Sequence, residues 1–405
     1  MVDLTSDFST TNINALVDTS ALRLRTITNR VEAISYVDQL NPDVIATGYQ
    51  NPTFLRAWLT QLDATPYFLI FSQKGHGDVL LPLEISAKGV ATYCGGTHAN
   101  GNFPVGLKQD IQALTPDIII NMVGLLANQE LVPSVVFLER QHTQWQGCAN
   151  PFVNAKSSQS ANVALSLSLE GGFGHVLDQH NSKRKRKRQR AHMRKLEELG
   201  TVEIQQHVPC NQVKEVLQAF FEMKAVRFKE AGICDVFADQ SIKDMFAQMF
   251  MESCAQTNPT HVLKAVRLNG KPISVIGCTI LNGRLTVEFG AFDETYAAGG
   301  PGDLLFYLAV ENACEQGLDI FDFGIGDEFY KRSWCDIETW HHDTIIGVTP
   351  AGKAIGLLKQ TRNAVVFAIK TNNVIWATTK QIENIWLAFK GVFDFHPERF
   401  QDAKI

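Results

Sequence analysis

An α/β (α+β) fold of two successive units, each a mixed, mostly antiparallel sheet flanked by helices, with a helical C-terminal tail, is what this 405-residue sequence predicts. Three observations carry the expectation. The chain is longer than the roughly 250–300 residues at which a single core stops growing and splits. Strand-like runs alternate with segments whose apolar residues recur at three and four. Two Asn-Gly dipeptides, at 269–270 and 282–283, stand between such runs, and the favoured two-residue hairpin turns need the positive φ these residues tolerate.

A polar lead-in occupies residues 1–20, and the first unit spans 21–145. Here LRLRTIT reads as a strand and PTFLRAWLTQL as a helix, followed by the strands PYFLIFSQ, DVLLPLEIS and GVATYCGG. A helix over IQALTPDIIINMVGLLANQ and the strand SVVFLER complete it. A Gln-, Asn- and Ser-rich linker covers 141–161, and the second unit spans 160–348. Its expected order is strand ANVALSLSL, a helix from Val176 to Leu199, strand TVEIQQHV and two helices, VKEVLQAFFEMKAVRFKEAG and QSIKDMFAQMFMESCAQ. Three hairpin-linked strands follow, then a glycine turn, the helix DLLFYLAVENACEQG and the strand DIFDFGIG. The tail, 349–405, holds two amphipathic pieces, around AGKAIGLLKQTRNAVVFAIK and NVIWATTKQIENIWLAFKGVF.

Composition narrows the function. The residues are 45% hydrophobic and 20% charged, with net charge −5, which is ordinary for a globular protein and argues against one devoted to nucleic acid. Eight scattered cysteines show no CxxC pair and no zinc-like spacing, so buried reduced thiols and no metal are expected. The N-terminal residues lack an apolar signal core, and no apolar run reaches the roughly 18 residues of a membrane span. The expectation is a cytoplasmic protein with no transmembrane segment.

Against that acidic background, nine Lys and Arg lie between Lys183 and Lys195. With Ser182 as helix cap, cations in the first turns oppose the helix dipole, so the run does not serve helix stability. Three readings stay open: a solvated face, a site for an anionic group of a substrate or cofactor through Lys183, Arg186 and Arg190, or a nucleic-acid patch.

The turn YAAGGPGDLLFYLAV places Gly299, Gly300 and Gly302 ahead of a helix. Glycine lets a ligand approach the backbone, and first-turn amides at the positive end of a helix attract anions. The turn fits neither a Walker loop nor a GxGxxG fingerprint. It reads as an anion cradle formed by Gly299, Gly300, Gly302, Asp303 and Leu304, or as a plain cap.

With hairpin strands before it and a strand after it, this turn resembles the acyl-CoA site of the GNAT N-acetyltransferase superfamily. The residues Pro301, Gly302, Leu305, Gly317, Phe321, Asp322, Phe323, Gly324, Gly326, Tyr330, Lys331 and Trp334 fit the "PG…L" and "G…FDFG.G…YK..W" pattern of its CelD/BcsL branch, which is related to the Fem peptidyltransferases. Ser182, Lys183, Arg186, Arg190, Lys195, Leu196, Glu197 and Gly200 can be laid on the basic helix of the same group. The resemblance implies two tandem GNAT-like domains, the second catalytic and the first shaping the acceptor site. It implies acetyl-CoA or another acyl-CoA as co-substrate, its diphosphate on the glycine-turn amides and its pantetheine arm between RLTVEFGAFDE and DIFDFGIG. The acceptor would be an amine of an amino sugar, a polysaccharide precursor or an amino-acid-like molecule. The Fem relation also allows an aminoacyl-tRNA donor.

Direct attack by an amine needs no nucleophilic residue, and the chain has no GxSxG elbow. Candidates for proton handling are Glu288, Asp322 and Tyr330, with Lys331 orienting an anionic group and Trp334 contacting substrate. Asp322 pairing with a cation, Lys331 making an ion pair and Tyr330 packing as a ring are the structural alternatives. His341 and His342 are adjacent, and on a strand they would face opposite ways.

Overall fold

The computed structural model describes residues 22–115 and 117–371. The predicted lead-in and the second tail helix, around 373–393, lie outside the described residues. In chain order the elements are β1 (Leu22–Ile27), α1 (Arg30–Asp38), α2 (Pro52–Gln61), β2 (Thr65–Gln73), β3 (Val79–Ile85), β4 (Val90–Tyr93), α3 (Lys108–Ala113), α4 (Ile118–Ala127) and β5 (Val135–Gln141). A minor hairpin, β6 (Gln144–Trp145) and β7 (Cys148–Ala149), leads to β8 (Ser158–Ser168), α5 (Gly172–Gln179), α6 (Ser182–Glu197), β9 (Val202–Gln205), α7 (Val213–Glu230) and α8 (Gln240–Cys254). The rest is β10 (His261–Leu268), β11 (Lys271–Leu281), β12 (Arg284–Phe292), α9 (Pro301–Glu315), β13 (Ile320–Ile325), α10 (Phe329–Arg332), β14 (Ile337–Gly347) and α11 (Pro350–Thr371).

Twelve strands form a single sheet in the order β1-β2-β3-β4-β5-β14-β8-β13-β12-β11-β10-β9. From either edge the pairs are antiparallel until β4 meets β5 and β12 meets β13, which are parallel. The centre is an exchange. β8, which follows the first unit, pairs with β13 of the second, while β14, which follows the second, pairs with β5 of the first. The two exchanged strands then pair with each other. The linker at 141–161 therefore does not separate one sheet from another: it carries the chain into the strand that joins both halves.

Alternation along the central strands sends side chains to two layers. One layer packs α1, α2, α7 and α8 on a face spanning both units, through Phe54, Phe68, Phe220, Phe246 and Val275. On the opposite face Leu196, Leu304 and Leu305 of α6 and α9 cover Val266 and Ile276, and α4 covers Leu69 and Leu81.

Several expectations need correction. The single helix predicted over 111–129 is two, α3 and α4, separated around Thr115, which accepts the Ile118 amide. The helix predicted from Val176 to Leu199 is also two, because Asn181 turns to φ +59°. Asn181, not Ser182, is the cap of α6, its side chain accepting from Arg184 N. Leu196 is buried but Leu199 is exposed. Cys210 and Cys254 are joined as a disulfide with their Cα atoms 5.7 Å apart, so these two are not reduced thiols.

Candidate active site

The parallel pairing of β12 and β13 lasts three residues, Arg284–Thr286 against Ile320–Asp322. Beyond it the strands diverge. β12 follows β11 through a bulge in which Glu288 is the extra residue between Val287 and Phe289. A bulge of this kind bends the strand and re-aims a side chain. β13 instead stays with β8. Between them opens a cleft continuous with solvent. It runs from Gly302 and Phe306 at the start of α9, past Glu288 and Asp322, to Gly48, Tyr49, Asn100 and His142 of the first unit.

Glu288 holds the middle of the cleft. Thr279 Oγ1 donates to its carboxylate, and the backbone of Gly48 lies so close that a β-carbon there would come within 2.4 Å of Oε1. Burial pushes its pKa up to about 7, against the Thr279 hydrogen bond that lowers it. The residue is therefore poised to exchange a proton near neutrality.

Asp322 lines the cleft at the fork, with both oxygens engaged. Oδ2 receives Arg284 Nη1 at 2.8 Å and Oδ1 accepts the amide of Gly324 at 2.8 Å. Its cationic partner is thus Arg284 and not Lys331. Gly324 has φ +73°, with the Val287 carbonyl of β12 only 3.0 Å from where a β-carbon would stand, and the Asp322 hydrogen bond fixes this turn of β13. Lys331 is buried, donating to Ile325 O at 2.7 Å and pairing with Glu328 at 2.9 Å. It fixes the loop after β13. Tyr330 borders the cleft with its ring on Phe306, 5.2 Å between centroids. Burial, reinforced by Glu328, raises its pKa far above the phenol range and keeps the hydroxyl protonated.

The glycine turn faces two ways. Gly302 borders the cleft, and a β-carbon there would meet Phe292 at 3.2 Å. In the first turn of α9 the amides of Gly302 and Asp303 have no intrahelical acceptor, whereas Leu304 N already bonds Gly300 O. Gly299 and Gly300 lie beneath α6, where β-carbons would strike Leu196 and His192. Leu304 points its side chain into the core. Of the five residues expected to form an anion cradle, Gly302 borders the cleft, and Gly302 and Asp303 carry the first-turn amides without an intrahelical acceptor.

Lys183, Arg186, Arg190 and Trp334 are not among the residues lining the cleft. The cause is packing. Helix α6 lies along α9 on the face opposite α7 and α8, with Arg188 donating to Asp303, Lys195 Nζ to Ala298 O at 3.1 Å, and Lys185 Nζ 3.4 Å from the centre of the Trp334 ring. Trp334 is buried against Tyr307 and His180. Lys183, Arg186 and Arg190 are exposed, Arg186 and Arg190 lying near Tyr307 and Glu311 of α9.

The cleft also gathers residues that no sequence spacing singled out: Gly48, Tyr49, His98, His142, Trp145 and Lys224. They come from loops and a helix far apart in the chain. Among the described residues no group of three His, Cys, Asp or Glu could hold a metal, and no helix is long and apolar enough to cross a membrane.

The fold is mixed α/β, and residues 183–332 match the family model of the acetyltransferase (GNAT) domain. Among solved structures, FemX superposes with a TM-score of 0.52 at 12% identity, over 82% of this chain and 100% of its own. A tandem GNAT protein from the clavulanic acid biosynthesis pathway gives 0.44 at 10% identity, over 81% and 99%. The PaiA N-acetyltransferase from Thermoplasma acidophilum, in complex with coenzyme A, gives 0.26 at 14% identity, over 29% and 75%. No curated protein matches the chain.

Proposed function

We propose that this chain is an acyl-CoA-dependent N-acyltransferase of the CelD/BcsL type, moving an acetyl or other acyl group to an amine of an amino sugar, polysaccharide precursor or amino-acid-like acceptor. The observation that carries the reading is the fork: two parallel strands diverge beside free first-turn amides, and the opening leads to a carboxyl poised near neutrality. The donor's thioester would supply an activated acyl group. Gly302 and Asp303 amides hold its diphosphate, with Arg188 neutralising the Asp303 carboxylate that would otherwise repel it. β12 and β13 flank the arm, and the Arg284–Asp322 ion pair ties the two strands together at the base of the fork. Glu288 takes the proton from the attacking amine, and Tyr330, held protonated, hydrogen-bonds the departing thiolate, which is protonated by solvent at the open cleft. The first unit and the residues around Gly48 and Asn100 shape the acceptor end.

Titration calorimetry with acetyl-CoA tests the donor. Binding is expected for the native chain and lost in Gly302→Val, whose branched side chain would enter the space beside Phe292. Absence of heat with acetyl-CoA and longer acyl-CoAs would leave the reading without its donor. The exposed cations of α6 favour a second reading, a tRNA-borne acyl group held by Lys183, Arg186 and Arg190. Transfer that survives ribonuclease excludes it.

A further inference from the structure

Where the sheet's two halves join, β14 loses register with its neighbours on either side of His342. Against β8 the pairs pass from Trp340↔Val163 to His342↔Gln159, and against β5 from His342↔Gln141 to Thr344↔Leu138. The flanking strands bulge away, Arg140 turning to φ +52°. His341 sits in the gap on the β8 side, and Asp343 in that on the β5 side. His341 is 1% exposed, lines the cleft wall, and neither ring nitrogen has a hydrogen-bond partner among the described residues. His142 stands edge-on to it, 4.5 Å between ring centroids, and Trp145 lies 4.5 Å beyond His142. Gly101 leaves the room, since a β-carbon there would come within 2.6 Å of His142 Nε2.

A buried polar side chain with no partner is costly to a fold unless something completes it. The chemistry of the missing partner can be narrowed. Burial pushes His341 down to about 3, with Arg140 and His342 adding to the effect, and pushes His142 well below its ordinary value, with His341 and Arg284 adding. Both rings are neutral at physiological pH. A neutral imidazole offers one N–H and one bare nitrogen whichever tautomer it takes. A carboxylate or phosphate would find one donor per ring where it wants several, and an ammonium would face the Arg140 charge. A hydroxyl both donates and accepts, so it completes the ring without adding charge. Trp145 supplies an apolar face beside that polar edge, which suits a saturated ring bearing hydroxyls.

We propose that His341 and His142, with Trp145, form the subsite that recognises a hydroxyl of the acceptor, and that the acceptor is therefore a hydroxylated ring amine such as an amino sugar. The inference rests on the cleft being the acyl-transfer cleft, and it narrows the acceptor among the three classes proposed above.

The experiment uses the full-length chain labelled with ¹⁵N-histidine, titrated with glucosamine and, separately, with hydroxyl-free cyclohexylamine, while acetyl-CoA binding is followed on the same sample. Glucosamine is expected to shift the ring nitrogens of His341 and His142, and cyclohexylamine to leave them. His341→Phe, which fills the space without polar atoms, should weaken glucosamine binding about tenfold or more. His341→Gln, which keeps a donor and an acceptor, should recover most of it, with acetyl-CoA affinity unchanged in both. Shifts from both amines alike, or from neither, in a sample that binds acetyl-CoA overturn the subsite and leave the acyltransferase reading standing. Glucosamine shifts in a sample that ignores every acyl-CoA sustain the subsite and remove the donor.

Discussion

Replacing Glu288 by Gln separates its chemical role from its structural one. The carboxyl ordinarily titrates near 4.5 and here near 7, because it is buried beneath Gly48 with Thr279 as its hydrogen-bond donor. Folding therefore favours the protonated form. As pH rises from about 4.5 to about 7 the unfolded chain loses this proton while the fold keeps it, so the wild type loses stability across that window. The full difference of two to three pH units corresponds to about 3 kcal/mol. Gln resembles the protonated acid and can still accept from Thr279, so Glu288→Gln should match the wild type near pH 4.5 and exceed it by up to about 3 kcal/mol at pH 8. Urea unfolding at the two pH values measures this. Activity should move the other way. A general base contributes on the order of 10²–10⁴ in rate, so kcat should fall at least about a hundredfold, and the rise of wild-type kcat/KM with a midpoint near pH 7 should disappear. A Gln variant that keeps both the rate and the pH limb would refute Glu288 as the base; one with no pH-dependent stability gain would refute its burial as the cause of its pKa.

Asp322→Ala should destabilise the chain by about 2–4 kcal/mol in urea, since it leaves Arg284 without its carboxylate and frees the Gly324 amide, and should weaken acetyl-CoA binding by loosening the base of the fork where β12 and β13 are tied. Reducing the Cys210–Cys254 bridge, which spans 44 residues across α7 and α8, should cost about 4 kcal/mol, seen as a lower urea midpoint in dithiothreitol that Cys210→Ser reproduces without reductant. Exchanging Lys183, Arg186 and Arg190 for Gln should leave the acetyl-CoA affinity within about threefold, because none lines the cleft, while flattening any salt-dependent RNA binding measured by filter retention.

What could be read from the sequence was whatever local chemistry decides. The hairpins turn at Asn269 and Asn282, both at positive φ, because Asn-Gly tolerates that conformation. The glycine turn, the fork strands and the residues Glu288, Asp322 and Tyr330 were legible for the same reason: each lies within a short segment whose composition fixes its conformation. The helix break at Asn181 was hidden because an αL asparagine inside a run of helix formers leaves no pattern. Strand β14, the residues Ile337–Gly347, was hidden for a deeper reason. Its Trp, two His and two acids do not alternate as a half-buried strand should, since its neighbours bulge and its middle borders a cleft and not a core. Such a strand is specified by pairings to β5 and β8 that are about 200 and 180 residues away in the chain. The same long-range exchange brings His341 to His142 and sets first-unit loops against Glu288. The first-unit end of the cleft is thus a product of the sheet's topology, and local sequence could show only the end beside α9, where a turn, a helix start and a bulged strand lie close together in the chain.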